Sequence, residues 1–380
     1  MKEKFDSIRF YHPEEVNRAI RFIMRHPMMK LLLNYSFPNI SDQKIQQIVG
    51  DIHSIEDFQN VIIYPSIKNV LKESSDGFTI SGAENLNKKD SYLFISNHRD
   101  ILLDTCLLNF ALLEKGLNLT ASVIGDNLVQ RELYLILAKL NRNFFVKRSA
   151  APRELLENSK LLSEYIFQLL TVENRSVWIA QREGRAKDGN DFTQAGVLKM
   201  ISMFDAQSKP CQYFKKLKVV PVSISYELDP TDKLKVEKMC ADQNQEKHKN
   251  EDFLNIMTGI SGQKKRIHLH FGKIEDEIYT DIENSVSNSN KQIKDLAEVL
   301  TKKIVEGYKL WPSNYIAADL LKNSNLYSKY YTEKEKQFFI KRMNLSIVKD
   351  NSCMNQALLE MYANPVFNKQ DYKKMPRIHE

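Results

Sequence analysis

The sequence predicts an α/β protein, with a wound, mixed sheet flanked by helices, a helical unit before it and a helical tail after it. Between residues 77 and 226, short apolar runs alternate with helical segments of about ten to fifteen residues. Helical periodicity without strand-like runs dominates both ends of the chain. We therefore expect three parts: a helical unit at 1–75, an α/β domain at 76–285 and C-terminal helices packed on it at 286–380.

The individual segments follow from local signals in chain order. Ser41 and Asp42 precede the apolar residues Ile45 and Ile48, as at a capped helix start. Apolar runs then predict strands at 91–96, 120–124, 143–146, 176–179 and 218–225, alternating with helices at 101–115, 129–140, 153–170 and 193–204.

Beyond this alternation the chain predicts one more strand and further helices. Residues 266–272 alternate between apolar and polar side chains, which is typical of a half-buried strand. A helix follows at 289–308 and ends before Pro312. Thr332 and Glu335 have the spacing of a capping box and predict a helix in the tail, which then has a polar end.

Composition limits the classes of function. Lysine and arginine number 55 against 48 acidic residues, and the formal charge of +7 suits an anionic membrane surface or a phosphorylated ligand. The charge would suit nucleic acid equally, but no zinc spacing, RNA-binding aromatic motif or basic recognition helix is present. The four scattered cysteines lack metal-ligand spacing and suit a reducing cytoplasm.

The chain shows no apolar run near the roughly 20 residues that span a bilayer. It also lacks the pattern of a signal peptide. We therefore expect a cytoplasmic protein bound peripherally to the inner face of the cell membrane. Residues 16–37 interleave apolar and basic side chains and either lie in the lipid headgroups or pack on the domain. Pro27 and the apolar cluster after it favour packing.

The most informative segment runs from Ser96 to Asp104, because it places His98 where an apolar strand ends and a helix begins. Asp104 could bind the Nδ1 of His98 and leave Nε2 to take a proton from a hydroxyl group, which is the arrangement of a general base. The alternative is a histidine at a helix start whose ring is satisfied by backbone groups.

This segment resembles the first conserved block of the glycerolipid acyltransferases, the superfamily of glycerol-3-phosphate and lysophosphatidate acyltransferases. The hallmark of that block is a histidine, four residues and an aspartate. Similar blocks follow in family order at 125–128 with 143–149, at 182–189 with 196–200, and at 219–227. In the last of these, Pro221 begins a strand that resembles the wall of the family's acyl pocket.

Two departures from the family pattern matter. The family spacing falls on Leu103, and the carboxylate comes one residue later at Asp104, so Asp100 is an alternative partner for His98. In the third block Glu183, Gly184 and Arg185 are consecutive, whereas the family has one residue between Gly and Arg. The resemblance implies a catalytic pair of His98 and Asp104, no metal, and a substrate-binding set of Arg99, Lys147, Arg148, Glu183, Gly184, Arg185 and Lys187.

The resemblance also implies an activity. We expect transfer of a fatty acyl group from an acyl thioester donor, acyl-CoA or acyl-acyl carrier protein, to the hydroxyl of a glycerol-3-phosphate-type acceptor in membrane phospholipid synthesis. The four cations Lys147, Arg148, Arg185 and Lys187 would bind the acceptor phosphate. Backbone N–H groups at the start of the 101–115 helix or near Gly184 would stabilise the oxyanion. No cofactor beyond the thioester co-substrate is expected.

Other interpretations stay open. A relative that acylates the hydroxyl of an amino-acid lipid would share the base and differ in its acceptor. A non-catalytic, lipid-binding protein would explain the displaced aspartate. His268 and His270 fall on one strand face and could bind a metal, although no third ligand has suitable spacing.

Overall fold

The computed structural model describes residues 4–38, 40–148, 151–241, 251–347 and 351–374. Seven strands within these ranges form one sheet: β1 (Ser75–Ser81), β2 (Leu93–Ser96), β3 (Ala121–Gly125), β4 (Asn143–Val146), β5 (Val177–Ala180), β6 (Val219–Tyr226) and β7 (Lys265–Phe271). Their spatial order is β1-β7-β6-β2-β5-β3-β4. All neighbours are parallel except β6 and β7, so the sheet is mixed, and the predicted fold class is confirmed.

Helices come before, between and after the strands. The first five are α1 (Pro13–Ile23), α2 (Pro27–Ser36), α3 (Asp42–Gly50), α4 (Ile55–Phe58) and α5 (Tyr64–Ser74). The next eight are α6 (Leu103–Glu114), α7 (Glu132–Leu140), α8 (Pro152–Thr171), α9 (Ala195–Ile201), α10 (Pro210–Lys216), α11 (Asp232–Cys240), α12 (Glu251–Ser261) and α13 (Asp276–Ser285). The C-terminal helices are α14 (Ser289–Gly307), α15 (Pro312–Lys322), α16 (Glu333–Ser346) and α17 (Ser352–Lys374).

The sheet is buried on both faces, as strand β2 shows. Leu93, Phe94 and Ile95 are all fully buried. Because successive strand side chains point to opposite faces, Leu93 and Ile95 pack in one apolar cluster with α8, and Phe94 packs in a second with α6. Burial on both faces explains why the central strands read as continuous apolar runs in the sequence.

The ends of the chain contain structure that the sequence did not predict. Strand β1 follows α5 directly, but Asp76, Gly77 and Thr79 are exposed, so the segment lacks an apolar run. Pro312 follows the predicted helix, yet it also occupies the first turn of α15, where a missing N–H costs nothing. The tail predicted to end in polar residues forms α17, and its Met354 and Leu358 are buried.

The cysteine prediction needs correction. Cys240 at the end of α11 and Cys353 at the start of α17 form a disulfide, whereas Cys106 and Cys211 are buried free thiols. The two bonded residues are 113 positions apart, so their spacing gave no sign of pairing.

The N-terminal helices pack on the α/β part. On α1, Val16, Ile20 and Ile23 are buried in an apolar cluster that includes residues of α7. The opposite face of α1 carries exposed Arg18 and Arg21. Packing therefore accounts for the apolar face of α1, while the side chains of Met28, Leu31 and Leu32 in α2 lie outside the described residues. Within the described residues, no helix combines the length and apolar character needed to cross a bilayer.

Candidate active site

The four motif segments meet at one edge of the sheet. Strands β4, β3, β5, β2 and β6 run parallel, so their carboxyl ends lie together. Backbone bonds join the segments beyond these ends. The Gln181 N–H donates to the Ser96 carbonyl at 2.8 Å, and the Ala186 N–H donates to the His98 carbonyl at 2.8 Å. Blocks one and three are therefore in direct contact, at the kind of edge where open α/β sheets bind ligands.

His98 contacts Asp104 through Nδ1. The distance from His98 Nδ1 to Asp104 Oδ2 is 2.8 Å, and the Asp104 side chain is fully buried. Residues 97–102 form a loop, and α6 begins at Leu103. The additional residue of spacing is therefore taken up in the loop and does not rotate Asp104 around a helix. Since the carboxylate accepts from Nδ1, Nε2 is the nitrogen that can take a proton.

The alternative partner, Asp100, has a different task. Its Oδ1 accepts bonds from the N–H groups of Leu102 and Leu103, both at 2.9 Å, so it caps the start of α6. Burial and the nearby Asp104 raise the pKa of the Asp100 carboxyl. Its Oδ2 is buried without a partner among the described residues. The geometry thus selects Asp104 as the partner of His98.

The His98 ring is also fixed by an aromatic contact. It packs edge-to-face on Trp178, with ring centroids 5.6 Å apart. The Trp178 Nε1–H donates to Ser96 Oγ at 2.8 Å. Strand β5 therefore supports the ring from one side, while the ring keeps 14% of its side-chain surface exposed.

The Arg99 side chain is buried and paired, which differs from the substrate-binding role expected from the sequence. Its side chain is 6% exposed and forms an ion pair with Asp191 at 2.5 Å. The guanidinium also lies 5.4 Å from the centroid of the Tyr308 ring. Because the group is buried and paired, we assign Arg99 to holding block one against the segment after block three. Asp191 is a structural residue that no sequence signal indicated.

The block two cations are bound to acidic side chains. Arg148 Nη1 lies 3.1 Å from Glu183 Oε1, and Lys147 Nζ lies 3.9 Å from Asp126 Oδ2. Both cations keep about a third of their side-chain surface exposed, and Glu183 is 71% exposed. Glu183 therefore links blocks two and three. Ser149, at the end of block two, lies outside the described residues.

The block three cations are less compensated. Arg185 Nη2 donates to Asn255 Oδ1 at 3.1 Å, while its buried Nη1 has no partner among the described residues. Burial, together with the nearby charges of Lys238 and Arg185, lowers the pKa of Lys187. Gly184 precedes Arg185 with a φ of +72°, which a side chain would strain. Arg185 and Lys187 therefore place two positive charges near each other in block three.

The C-terminal helix α17 holds the turn of block three. The Asn364 side-chain amide donates to the Asp188 carbonyl at 2.7 Å, and Asn368 donates to Asn190 Oδ1 at 3.0 Å. A Cβ atom on Gly189 would lie 2.2 Å from the Met361 carbonyl oxygen, so only glycine fits there. Two asparagines of α17 therefore hold the turn at residues 188–190, although the two segments are far apart in the chain.

An apolar groove begins on the loop that joins His98 to Asp104. Its cavity volume is about 220 Å³. Ile101, Leu102, Thr105 and Cys106 line it on the block one side. The remaining walls come from α2, residues 58–70, the end of β3 and the segment after it, α7, the start of β4 and α12. Their lining side chains include Met29, Leu33, Phe58, Ile62, Ile124, Leu137, Phe253, Ile256 and Met257.

His268 and His270 take part in hydrogen bonds with β1 side chains. The two ring nitrogens of His268 lie 2.7 Å from Thr79 Oγ1 and 2.9 Å from Ser81 Oγ. His270 Nδ1 lies 2.8 Å from the same Ser81 hydroxyl. Among the residues with described positions, no group of three or more His, Cys, Asp or Glu could hold a metal ion.

Comparison with known proteins identifies the central part of the chain. Residues 77–225 match the family described as Acyltransferase. Among solved structures, the chain is similar to the 1-acyl-sn-glycerophosphate (LPA) acyltransferase PlsC from Thermotoga maritima, at 14% identity and a TM-score of 0.34, over 76% of this chain and 93% of that one. No curated protein matches the chain. The matched region, residues 77–225, contains the first three motif blocks and most of the fourth, so the similarity to the Acyltransferase family falls on the segments that form the site.

Proposed function

We propose that this protein transfers a fatty acyl group from an acyl thioester to the hydroxyl of a glycerol-3-phosphate-type acceptor in membrane phospholipid synthesis. The observation that carries the proposal is the pairing of His98 with the buried Asp104 at the carboxyl edge of the sheet, inside the region that matches the acyltransferase family. The apolar groove and the cationic residues lie on the same motif segments and supply sites for the two substrates.

In the proposed reaction His98 Nε2 removes the proton from the acceptor hydroxyl as its oxygen attacks the thioester carbonyl. Asp104 holds the ring through Nδ1 and stabilises the imidazolium that forms. Collapse of the tetrahedral intermediate forms the ester and releases the thiolate, which takes the proton from His98. No acyl-enzyme intermediate is needed, so Ser96 and Cys106 have no catalytic role.

Four of the backbone N–H groups at the start of α6 are used within the loop and helix, which supports an oxyanion site elsewhere. The N–H groups of Arg99 and Asp100 donate to Asp104, at 2.5 and 2.9 Å. Those of Leu102 and Leu103 donate to Asp100. Since these donors are already used, we assign oxyanion stabilisation to the backbone near Gly184, the other position expected from the sequence.

The acceptor phosphate is assigned to Arg185 and Lys187. The partnerless Arg185 Nη1 and the mutual repulsion of the nearby cations indicate positive charge that an anion would compensate. Lys147 and Arg148 would contribute at the rim, where they exchange Asp126 and Glu183 for the phosphate. The anionic acceptor therefore fits the charge of the site.

The acyl chain of the donor is assigned to the apolar groove. Burial of a fatty chain against side chains of α2, α7 and α12 stabilises binding by about 0.8 kcal/mol for each CH₂ group removed from water. The exposed basic side chains of α1, with Phe22 beside them, would contact anionic headgroups on the inner face of the membrane.

The test is an assay with a defined panel of substrates. Purified protein is incubated with palmitoyl-CoA or palmitoyl-acyl carrier protein and with glycerol-3-phosphate, lysophosphatidate or an N-acyl amino acid carrying a hydroxyl. Products are identified by mass spectrometry, with His98→Ala as the control. We expect an ester of glycerol-3-phosphate or lysophosphatidate. If only the amino-acid lipid is acylated, that lipid replaces the glycerol-3-phosphate-type acceptor in the proposal. If no combination of thioester and acceptor gives a product, acyl transfer is contradicted.

A further inference from the structure

Tyr226 contacts the second oxygen of the Asp104 carboxylate. Tyr226 is the last residue of β6 and is buried. Its hydroxyl donates to Asp104 Oδ1 at 2.8 Å. The other oxygen, Oδ2, accepts from His98 Nδ1 and from the N–H groups of Arg99 and Asp100. Among the described residues, Tyr226 is therefore the hydrogen-bond donor on the side of the carboxylate away from His98.

The direction of this bond follows from its surroundings. Burial and the negative charges of Asp104, Asp100 and Asp229 raise the pKa of the Tyr226 phenol well above 10. The phenol therefore keeps its proton and acts as the donor, while Asp104 acts as the acceptor. Arg99 and Tyr308 line the small cavity on the far side of Tyr226, and the Arg99 charge is already paired with Asp191.

We propose that Tyr226 is a positioning residue for the base: it fixes the plane of the Asp104 carboxylate and thereby the direction of the His98 ring. This inference rests on the proposed acyl transfer. A fully buried carboxylate oxygen that loses its donor remains unsatisfied, so the carboxylate would turn toward other donors. That rotation would weaken the bond to Nδ1 when the imidazolium forms. Block four would then contribute to catalysis as well as to the wall of the pocket.

The first experiment compares Tyr226→Phe with the wild type in the acyltransferase assay. The loss of one hydrogen bond to a charged group predicts a kcat lower by about tenfold. The KM values of donor and acceptor should change by less than about twofold, because Tyr226 touches neither substrate. The acid limb of the kcat profile should move to lower pH, since a carboxylate that has turned away from Nδ1 stabilises the imidazolium less.

Two matched comparisons separate positioning from stability. Tyr213→Phe removes another buried hydroxyl, which donates to the Ile201 carbonyl at 3.0 Å in a different apolar cluster. It should lower the melting temperature as Tyr226→Phe does and leave kcat and the acid limb unchanged. In an Asp104→Asn background, Tyr226→Phe should cause no further loss of kcat, because the carboxylate that it positions is gone.

Tyr226→Gln provides a second variant that keeps an N–H donor. We expect it to retain more of the wild-type kcat than Tyr226→Phe, and it decides the question if Tyr226→Phe does not fold. The proposal would be overturned if Tyr226→Phe keeps the kcat and the acid limb of the wild type. It would also be overturned if Tyr226→Phe lowers kcat as much in the Asp104→Asn background as in the wild type. A wild type without acyl transfer would instead refute the proposed function.

Discussion

Asp104 reaches His98 from the second residue of helix α6, with 2.8 Å between Oδ2 and Nδ1, because the six residues before the helix form a loop. The same carboxylate accepts the N–H groups of Arg99 and Asp100 and so closes that loop. One buried side chain therefore orients the proposed base and shapes the backbone that carries it. The displaced aspartate consequently gives no support to a decayed, non-catalytic site.

Replacing His98 with alanine should lower kcat by a factor of at least 10², because His98 Nε2 is the proposed acceptor of the hydroxyl proton. His53→Ala, at an exposed position, should leave turnover unchanged. Turnover is measured with the thioester and the best acceptor of the panel, and folding is checked by circular dichroism. Near-normal turnover in a folded His98→Ala protein would contradict the mechanism.

Asp104→Asn and Asp100→Asn should have different effects. Asp104→Asn should lower kcat more than about tenfold, because an amide neither stabilises the imidazolium nor selects the reactive ring tautomer. Asp100→Asn should chiefly lower the melting temperature, since Asp100 caps α6 and does not touch His98. Steady-state kinetics and thermal unfolding of both variants test this distinction. If Asp100→Asn loses more turnover than Asp104→Asn, the assigned roles are reversed.

Arg185→Ala should raise the KM of the phosphorylated acceptor at least tenfold and leave the donor KM within about twofold, because each charge-assisted bond to phosphate contributes to acceptor binding alone. Arg153→Ala, at an exposed position on α8, is the matched control. Initial rates with each substrate varied in turn give the two KM values. Equal changes in both would argue against a phosphate-bearing acceptor and for an amino-acid lipid.

Leu137→Trp should shorten the preferred acyl chain, because Leu137 lines the groove and the indole would occupy part of its volume. The ratio of kcat/KM for palmitoyl to decanoyl thioester should fall at least tenfold. Leu135→Trp lies on the same helix but not in the lining, and should keep the wild-type ratio. A similar ratio in all three proteins would place the acyl chain elsewhere.

His268 should make the protein less stable in acid. Burial, with Lys309, His270 and Lys369 nearby, lowers the pKa of His268 to about 4, against 6.5 in the unfolded chain. Between these values the unfolded chain binds a proton that the folded protein does not, so the free energy of unfolding falls as the pH is lowered from 6.5 to 4. Urea unfolding of the wild type and His268→Gln at several pH values measures this slope.

The slope should be shallower in His268→Gln, and it should be unchanged in the exposed control His53→Gln. Parallel curves for the wild type and His268→Gln would show that His268 can be protonated in the folded protein and that its bonds to β1 do not exclude the charge.

The parts of the site that could be predicted are those with a local signature. The strand before His98 is an uninterrupted apolar run, and the carboxylate follows within one loop, so both could be read from the sequence. Tyr226 and Asp191 could not, because their partners are 122 and 92 positions away and the contacts exist only in the folded sheet. The role of Arg99 could not be predicted for the same reason. Its position next to His98 in the sequence does not show that its side chain is buried in an ion pair with Asp191.

The bond from Asn364 to the turn at Asp188, and the close fit of Gly189 under Met361, mean that the segment shared with the acyltransferase family is not self-contained in this protein. An excised fragment of residues 77–225 would leave that turn without its partners in α17 and expose apolar surface that α14 now covers. Transplanting the segment into a different protein, or fusing a tag into α17, should therefore disturb a loop that contacts His98. Protein engineers should treat residues 352–374 and residues 77–225 as one structural unit.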